Sequence, residues 1–355
     1  MAIYKAIGIM SGTSLDGVDL AYVEFEELDG KWTFNLGKNE SIPYPKEWQT
    51  KLSKLTNASA LDFVKTHVAY GKYTGHLIQD FIKKYDLSPD IIGVHGHTIF
   101  HQPKEGYTSQ IGDGAAIAAI TGQLIACDLR SMDIARGGQG APLVPIGDQL
   151  LFNDYEVRLN IGGFANISFQ KDGEIVAYDI GPANIILNTI TRQMGKEYDD
   201  KGLIARGGVL QTQLLEKLNS LSYYQQTYPK SLGKEWVEEN SIVFAHQDIN
   251  HQDLLRTLVE HISIIIANEL KAIKSGKVFI TGGGAFNEYL IERIQEKTPL
   301  EIVIPDRDII EMKEAIIFAF LGVLRLLNRP NILHQVTGAD SASISGALYD
   351  GRIVL

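Results

Sequence analysis

The chain is almost free of cysteine. Cys127 stands alone among 355 residues, which excludes an intrachain disulfide and a thiolate metal cage. Basic residues are also in deficit, since 33 Lys and Arg against 43 Asp and Glu leave a net charge of −10. A nucleic-acid backbone is neutralised by clustered cations, so no nucleic-acid partner is expected. Long apolar runs are missing as well. The longest, over 315–324, is ended by Arg325, far short of the roughly 20 residues that cross a bilayer. The opening Met1-Ala2-Ile3-Tyr4-Lys5 runs straight into an apolar stretch and lacks the layout of a secretory signal. These absences lead to the expectation of a soluble, cytoplasmic protein with no membrane partner.

What is present is an ordinary globular balance, with 45% hydrophobic and 21% charged residues. The length suits two domains rather than one core. Short β-branched runs alternate with longer helical patterns, which predicts an α/β architecture. Strands are expected over 4–10, 18–25, 91–94, 124–126, 157–161, 166–169, 174–178, 277–280 and 301–304. Helices are expected over 60–85, 114–121, 183–194, 251–273, 288–295 and 312–327. In 251–273 the residues Leu254, Leu258, Ile262, Ile265 and Ile273 fall on one stripe. The chain is expected to divide into an N-terminal lobe, 1–130, and a C-terminal lobe, 131–335. A tail, 336–355, is expected to return to the first lobe. The glycine- and proline-rich stretch Ala135-Arg136-Gly137-Gly138-Gln139-Gly140-Ala141-Pro142 marks the junction.

Three small-residue turns recur at strand ends. The first is Ser11-Gly12-Thr13-Ser14-Leu15-Asp16-Gly17-Val18-Asp19, the second Asn160-Ile161-Gly162-Gly163-Phe164-Ala165-Asn166. Each is strand, turn, strand, an internal echo that suggests two related lobes. The third, Thr281-Gly282-Gly283-Gly284-Ala285-Phe286-Asn287, leads from a strand into a helix. Glycines let backbone N–H groups approach an anion, and Thr13 and Ser14 add hydroxyl donors. Asp16 offers a carboxylate for Mg²⁺. The first turn is not a Walker loop, which needs Gly-Lys-Ser/Thr and then a helix. It reads either as a phosphate cradle or as a plain hairpin turn.

Asp179, in Asp179-Ile180-Gly181-Pro182-Ala183-Asn184, follows a strand and precedes a helix. It reads either as a general base at the strand end or as a turn or cap residue. His95, His97 and His101 are close enough in sequence for a three-histidine metal site, though no acidic cluster accompanies them. Arg130 is a candidate for bidentate binding of a substrate carboxylate. Glu314 opens an otherwise apolar helical pattern.

Taken in order, these segments resemble the anhydro-N-acetylmuramic acid kinases of the actin, sugar-kinase and heat-shock ATPase superfamily. The resemblance runs through Gly8-Ile9-Met10-Ser11-Gly12-Thr13-Ser14-Leu15-Asp16-Gly17, His95-Gly96, Gly112-Asp113-Gly114 and Asp128-Leu129-Arg130. It continues through Gly137 to Pro145, Asn160-Ile161-Gly162-Gly163, Asp179-Ile180-Gly181-Pro182, Pro229-Lys230-Ser231-Leu232-Gly233-Lys234-Glu235-Trp236, Gly282 to Asn287 and Glu314-Ala315. It implies a two-lobed, actin-like α/β fold, a duplicated ribonuclease H-like unit, with ATP in the interlobe cleft. It also implies an ATP- and Mg²⁺-dependent reaction that opens a 1,6-anhydro amino sugar with water and phosphorylates it.

By the same resemblance Asp179 is the catalytic base. ATP falls to Gly12, Thr13, Ser14, Leu15, Asp16, Gly17, Val18 and Asp19, to Gly162 and Gly163, and to Gly282, Gly283 and Gly284. Read from the residues themselves, Asp16 is the expected metal ligand, and His95, Arg130, Gln139, Asn184 and Glu314 are the residues expected at the sugar. The expected partner is this small sugar, with a homodimer allowed. The chain departs from the family pattern at His97, where glutamine is usual, at Ala183 for glycine, and at Asn188 for aspartate. Gly147-Asp148 replaces a Phe-His pair, and Ala245 to Asp253 lacks a threonine-rich pattern. The rival readings are an ordinary kinase acting on a free sugar hydroxyl, a non-catalytic ATP- or sugar-sensing module, and a metal-dependent transferase built on His97 and His101.

Overall fold

A computed structural model describes residues 2–228, 230–240 and 249–352. Pro229 of the quoted lysine motif and Ala245 to Asp248 of the divergent stretch lie outside the described residues. Two compact units are present, Met1–Leu151 with Met312–Leu355, and Phe152–Glu311.

The first unit is built on β1 (Ala2–Met10), β2 (Gly17–Leu28), β3 (Lys31–Pro43), β4 (Ile91–Val94), the hairpin β5 (His97–Gln102) and β6 (Tyr107–Ile111), and β7 (Leu124–Cys127). β1, β2 and β3 form an antiparallel meander, and β4 then β7 add in parallel on the other side of β1. The strand Ala347–Asp350 closes that side, antiparallel to β7. β1 and β4 carry fully buried Ile7, Ile9, Ile92 and Val94, as central strands covered on both faces do. Against them packs the helix Ala60–Tyr85, started by Ser59, whose side chain accepts the Asp62 N–H, and stopped at Asp86 in the left-handed region. It contributes Tyr70, Ile78 and Phe81 to the core.

The second unit holds β8 (Val157–Ile161), β9 (Phe164–Lys171), β10 (Glu174–Pro182), β11 (Lys277–Thr281) and β12 (Glu301–Val303). β8, β9 and β10 are an antiparallel meander, and β11 then β12 join β8 in parallel. The order β10-β9-β8-β11-β12 therefore repeats β3-β2-β1-β4-β7 with the same strand directions. This is the ribonuclease H-like order, twice. The sequence echo corresponds to it, because each small-residue turn joins the first two strands of its copy. The helix His251–Leu270 backs this sheet. Asn250 caps it through the Asp253 N–H, and Leu254, Leu258, Ile262 and Ile265 of the expected stripe are buried.

The expected break after Arg130 is corrected by the contacts. Residues 131–151 and 312–335 pack within the first unit, not with the second. Asp148 pairs with Lys313 at 2.7 Å, buried Asp133 accepts from the Thr337 hydroxyl at 2.7 Å, and a Cβ on Gly147 would meet Ile317 Cγ1 at 2.6 Å. The helix of this region is Arg307–Leu326, so Glu314 lies about two turns in rather than at its start. Within the first unit its chain lies directly on β1 and β4. A Cβ on Gly8 would sit 1.8 Å from Ala315 O, and one on Gly93 2.0 Å from Phe318 O. Only glycine permits that approach. Among the described residues no helix is long and apolar enough to cross a membrane.

Candidate active site

In the first unit the β1–β2 turn holds Gly12, Thr13, Ser14 and Asp16 at the surface, with Thr13, Ser14 and Asp16 exposed. Leu15 takes a positive φ of 63°, packs its side chain on the core, and its carbonyl accepts from Gln49 Nε2 at 3.3 Å. Val18, already in β2, is fully buried. Gly17 passes close to β3, where a Cβ would meet Ile42 O at 2.2 Å. The Asp19 carboxylate accepts from the Ser41 hydroxyl at 2.6 Å.

The base of this turn is tied down by a polar chain. The Tyr44 and Tyr70 hydroxyls are hydrogen-bonded to each other. Tyr70 OH donates to Ser11 Oγ at 2.9 Å, and Ser11 Oγ donates to Gly96 O at 2.8 Å. His95 continues it, with Nδ1 3.3 Å from Ser11 O. On the other side of the ring, Arg130 Nε and NH2 lie 3.1 and 2.8 Å from His95 Nε2, and NH1 donates to Gly140 O at 2.6 Å.

Burial pushes the His95 imidazole down to about 3, and the Arg130 cation adds in the same direction. Burial also lowers the Arg130 guanidinium to about 10, opposed by the Glu314 charge. Crowding by protein raises the Glu314 carboxyl, with Arg130 and Lys313 acting against the rise and Asp19 adding to it. The residue is nonetheless exposed to solvent. Arg130, His95, Glu314 and Asp19 thus form one electrostatic group. Gln139 is exposed in the adjoining loop. That loop is organised by Asp133, which accepts the Gly140 N–H at 2.7 Å. Asp133 escapes a sequence reading, its sole signal being its nearness to the glycine run.

The three histidines do not form a metal cage. His95 Nε2 faces a guanidinium, His97 is buried among Tyr44 and Tyr70, and His101 bonds Thr108 Oγ1 at 3.0 Å. Among the described residues no group of three His, Cys, Asp or Glu side chains is arranged to hold a metal ion.

In the second unit the β8–β9 turn and the glycine run after β11 come together. Gly282 has a φ of 81°, and a Cβ there would meet Asn160 Oδ1 and Ile161 O, each at 2.7 Å; one on Gly284 would meet Ile161 Cγ2 at 2.3 Å. The start of the helix Asn184–Gln193 docks on the same turn. Ala183 N–H donates to Gly163 O at 2.8 Å, Asn184 N–H to Gly162 O at 3.1 Å, and Asn184 Nδ2 to Ile161 O at 3.2 Å. Asn184, expected at the sugar, is brought against Gly162, Gly163 and Gly283. Ala183, the departure from glycine, is fully buried in this joint.

Asp179 stands on β10 just before a register shift between Asp179 and Gly181. Its Oδ2 accepts the Leu232 N–H at 3.0 Å, and its carbonyl accepts Tyr223 OH at 2.7 Å. Partial burial raises its carboxyl above the usual carboxylate value, and the Leu232 N–H opposes that rise. Among the described residues this half-buried carboxylate accepts a main-chain N–H, an arrangement that suits a proton acceptor.

Two copies of one strand order, each with a small-residue turn after its first strand, are the plan of the actin-like phosphotransferases, and this protein is a kinase with an alcohol group as acceptor. The chain belongs to the anhydro-N-acetylmuramic acid kinase family, whose model matches residues 4–351. A Coxiella burnetii (strain Dugway 5J108-111) protein named anhydro-N-acetylmuramic acid kinase is 35% identical over 373 residues, covering 98% of each chain. The proteins of that name from Aliivibrio fischeri and Pasteurella multocida are 36% and 37% identical, covering 97% of this chain and 99% and 96% of their own.

Proposed function

We infer that the protein opens 1,6-anhydro-N-acetylmuramic acid with water and phosphorylates its O6 from ATP, giving N-acetylmuramic acid 6-phosphate. This is the family's reaction in peptidoglycan recycling and amino-sugar catabolism. A cytoplasmic location, where ATP is supplied, belongs to the same reading.

The chemistry follows from the substrate. O6 is tied to C1, so no free hydroxyl is available there to attack ATP. Water must bond to C1 as the C1–O6 bond breaks. O6 then takes the γ-phosphoryl group as its bond to ADP breaks, and the proton lost by water needs an acceptor. The observation that carries this reading is Asp179, whose carboxyl is raised by partial burial while one oxygen is fixed by Leu232 N–H. A base with a raised pKa is the stronger proton acceptor.

In the first unit Gly12, Thr13, Ser14, Leu15, Asp16, Gly17, Val18 and Asp19 are assigned to ATP, chiefly through main chain and hydroxyls. In the second unit Gly162, Gly163, Gly282, Gly283 and Gly284 are assigned to it, with Asn184 bracing them. Phosphoryl transfer asks mainly for such positioning and for charge neutralisation. Asp16 is exposed in the first turn, and it is assigned to Mg²⁺, which commonly takes only one or two carboxylates beside phosphate and water oxygens. Mg²⁺ would neutralise charge on the phosphate oxygens. His95, Arg130, Gln139 and Glu314 are assigned to the sugar, with Arg130 as the cation for its lactyl carboxylate.

The test is mass spectrometry of the sugar after a short incubation with ATP and Mg²⁺ in isotopically heavy water. The product is expected to gain a phosphoryl group and one heavy oxygen at C1 together. An untouched anhydro sugar, with free N-acetylmuramic acid phosphorylated instead, overturns the reading in favour of an ordinary hydroxyl kinase.

A further inference from the structure

Asp179 is gripped by residues far from it in the chain. Its own N–H donates to Lys230 O at 3.3 Å, and Leu232 N–H, 53 residues on, donates to its carboxylate. Asp179 still pairs with Asn166 in the ladder, and the register shift falls just after it, before Gly181. The Leu232 N–H therefore ties the carboxylate oxygen to wherever the 230–232 segment is held.

That segment has an anchor of its own. The Lys230 side chain is only 3% exposed, and its ammonium pairs with Glu269 Oε1 at 2.9 Å. It stands 5.4 Å from the Tyr178 ring centroid and 5.2 Å from that of Tyr223. Tyr178 OH donates to the other Glu269 oxygen at 2.8 Å, and Tyr223 OH reaches the Asp179 carbonyl. Glu269 belongs to the helix His251–Leu270, whose buried residues fill the unit's core, so the anchor point is rigid. An ammonium this enclosed costs desolvation energy that a surface lysine does not.

We propose that Lys230 is a positioning residue: paired with Glu269 and set against Tyr178 and Tyr223, it pins the 230–232 segment so that Leu232 N–H aims the Asp179 carboxylate at the attacking water. The proposal rests on Asp179 being the base of the reaction. It assigns a kinetic consequence to an ion pair that touches no reactant. Misaiming a catalytic group by a fraction of an ångström lowers turnover without changing how the nucleotide binds.

The variants are Lys230→Met, Lys230→Arg, the double variant Lys230→Met/Glu269→Gln, and Asp179→Asn, each assayed with ATP, Mg²⁺ and the anhydro sugar. Lys230→Met leaves Glu269 without its cation, and the double variant removes that unpaired charge. kcat is normalised to the folded fraction from near-ultraviolet circular dichroism. In both Met-bearing variants kcat falls about tenfold or more while KM for ATP holds within about twofold, and Lys230→Arg recovers part of the loss. Normal kcat in the Met-bearing variants, with Asp179→Asn inactive, overturns the positioning role alone. A parallel rise in KM for ATP, or no recovery in Lys230→Arg, also overturns it. Near-normal turnover in Asp179→Asn removes the base assignment and this inference with it.

Discussion

Arg130 turns its guanidinium onto the Nε2 of His95, with NH2 at 2.8 Å and Nε at 3.1 Å. A guanidinium only donates, so Nε2 is the accepting nitrogen and the ring proton sits on Nδ1. Nδ1 faces Ser11 O, which makes His95 a rigid link between Arg130 and the base of the β1–β2 turn.

The tautomer is the first prediction. Long-range ¹⁵N–¹H spectra should show His95 as the Nδ1-protonated neutral form, with no titration between about pH 5 and 8, because burial and Arg130 hold it down to about 3. Arg130→Met should move its pKa upward and lower activity, and Arg130→Lys should not restore the two-pronged contact. An Nε2-protonated ring, or titration near 6.5, contradicts the assignment.

Asp179, proposed as the base, is expected to set the acid limit of activity. Its carboxyl is raised by partial burial, so proton uptake disables the base at a pH above the ordinary aspartate value of about 3.9. The profile of kcat/KM should therefore fall on the acid side through an apparent pKa above that value. Asp179→Asn should lose about 10²-fold or more of kcat at every pH. A flat profile down to pH 4, well below the usual range of working bases, would remove Asp179 from the proton transfer.

Gly8 and Gly93 should tolerate no side chain. Alanine at Gly8 places Cβ 1.8 Å from Ala315 O and 2.6 Å from Ala319 N, so the helix Arg307–Leu326 must lift off β1. Overpacking of this kind costs about 1–3 kcal/mol, read as a lower denaturation midpoint. The lift also displaces Glu314, the neighbour of Ala315, so KM for the sugar should rise as well. A Gly8→Ala protein of unchanged stability and KM would show that the helix does not govern Glu314.

Acid should weaken the second unit through His261. It is fully buried between Asn219 Oδ1 at 2.7 Å and Tyr224 OH at 3.1 Å, and burial lowers it to about 3. The unfolded chain binds this proton near pH 6.5, while the folded chain stays neutral. Stability is thus intact above pH 6.5 and declines as pH falls toward 3, at about 1.4 kcal/mol per pH unit and about 2 kcal/mol by pH 5. Melting curves of His261→Gln should show a shallower acid decline than the native protein. Parallel slopes would refute the linkage.

Local pattern carried much of the fold. The central strands, the capped helices at Ala60–Tyr85 and His251–Leu270, and the glycine turns all advertise themselves through apolar period, caps and turn residues. β3 does not, because it is an edge strand with mostly polar residues. Its existence depends on β2 supplying the hydrogen-bond partner.

The sequence by itself determined the family and the two small-residue turns that begin each lobe, while the aspartate expected just after a strand lies within β10. It carried these because turn chemistry and strand period act between neighbours in the chain. Tertiary structure alone decided that residues 131–151 and 312–335 belong with the first unit, that His95 meets Arg130 across 35 positions, and that Lys230 and Leu232 hold Asp179. Such pairings depend on strand order and on how closely a helix can approach a sheet. Both are settled only when the whole core packs.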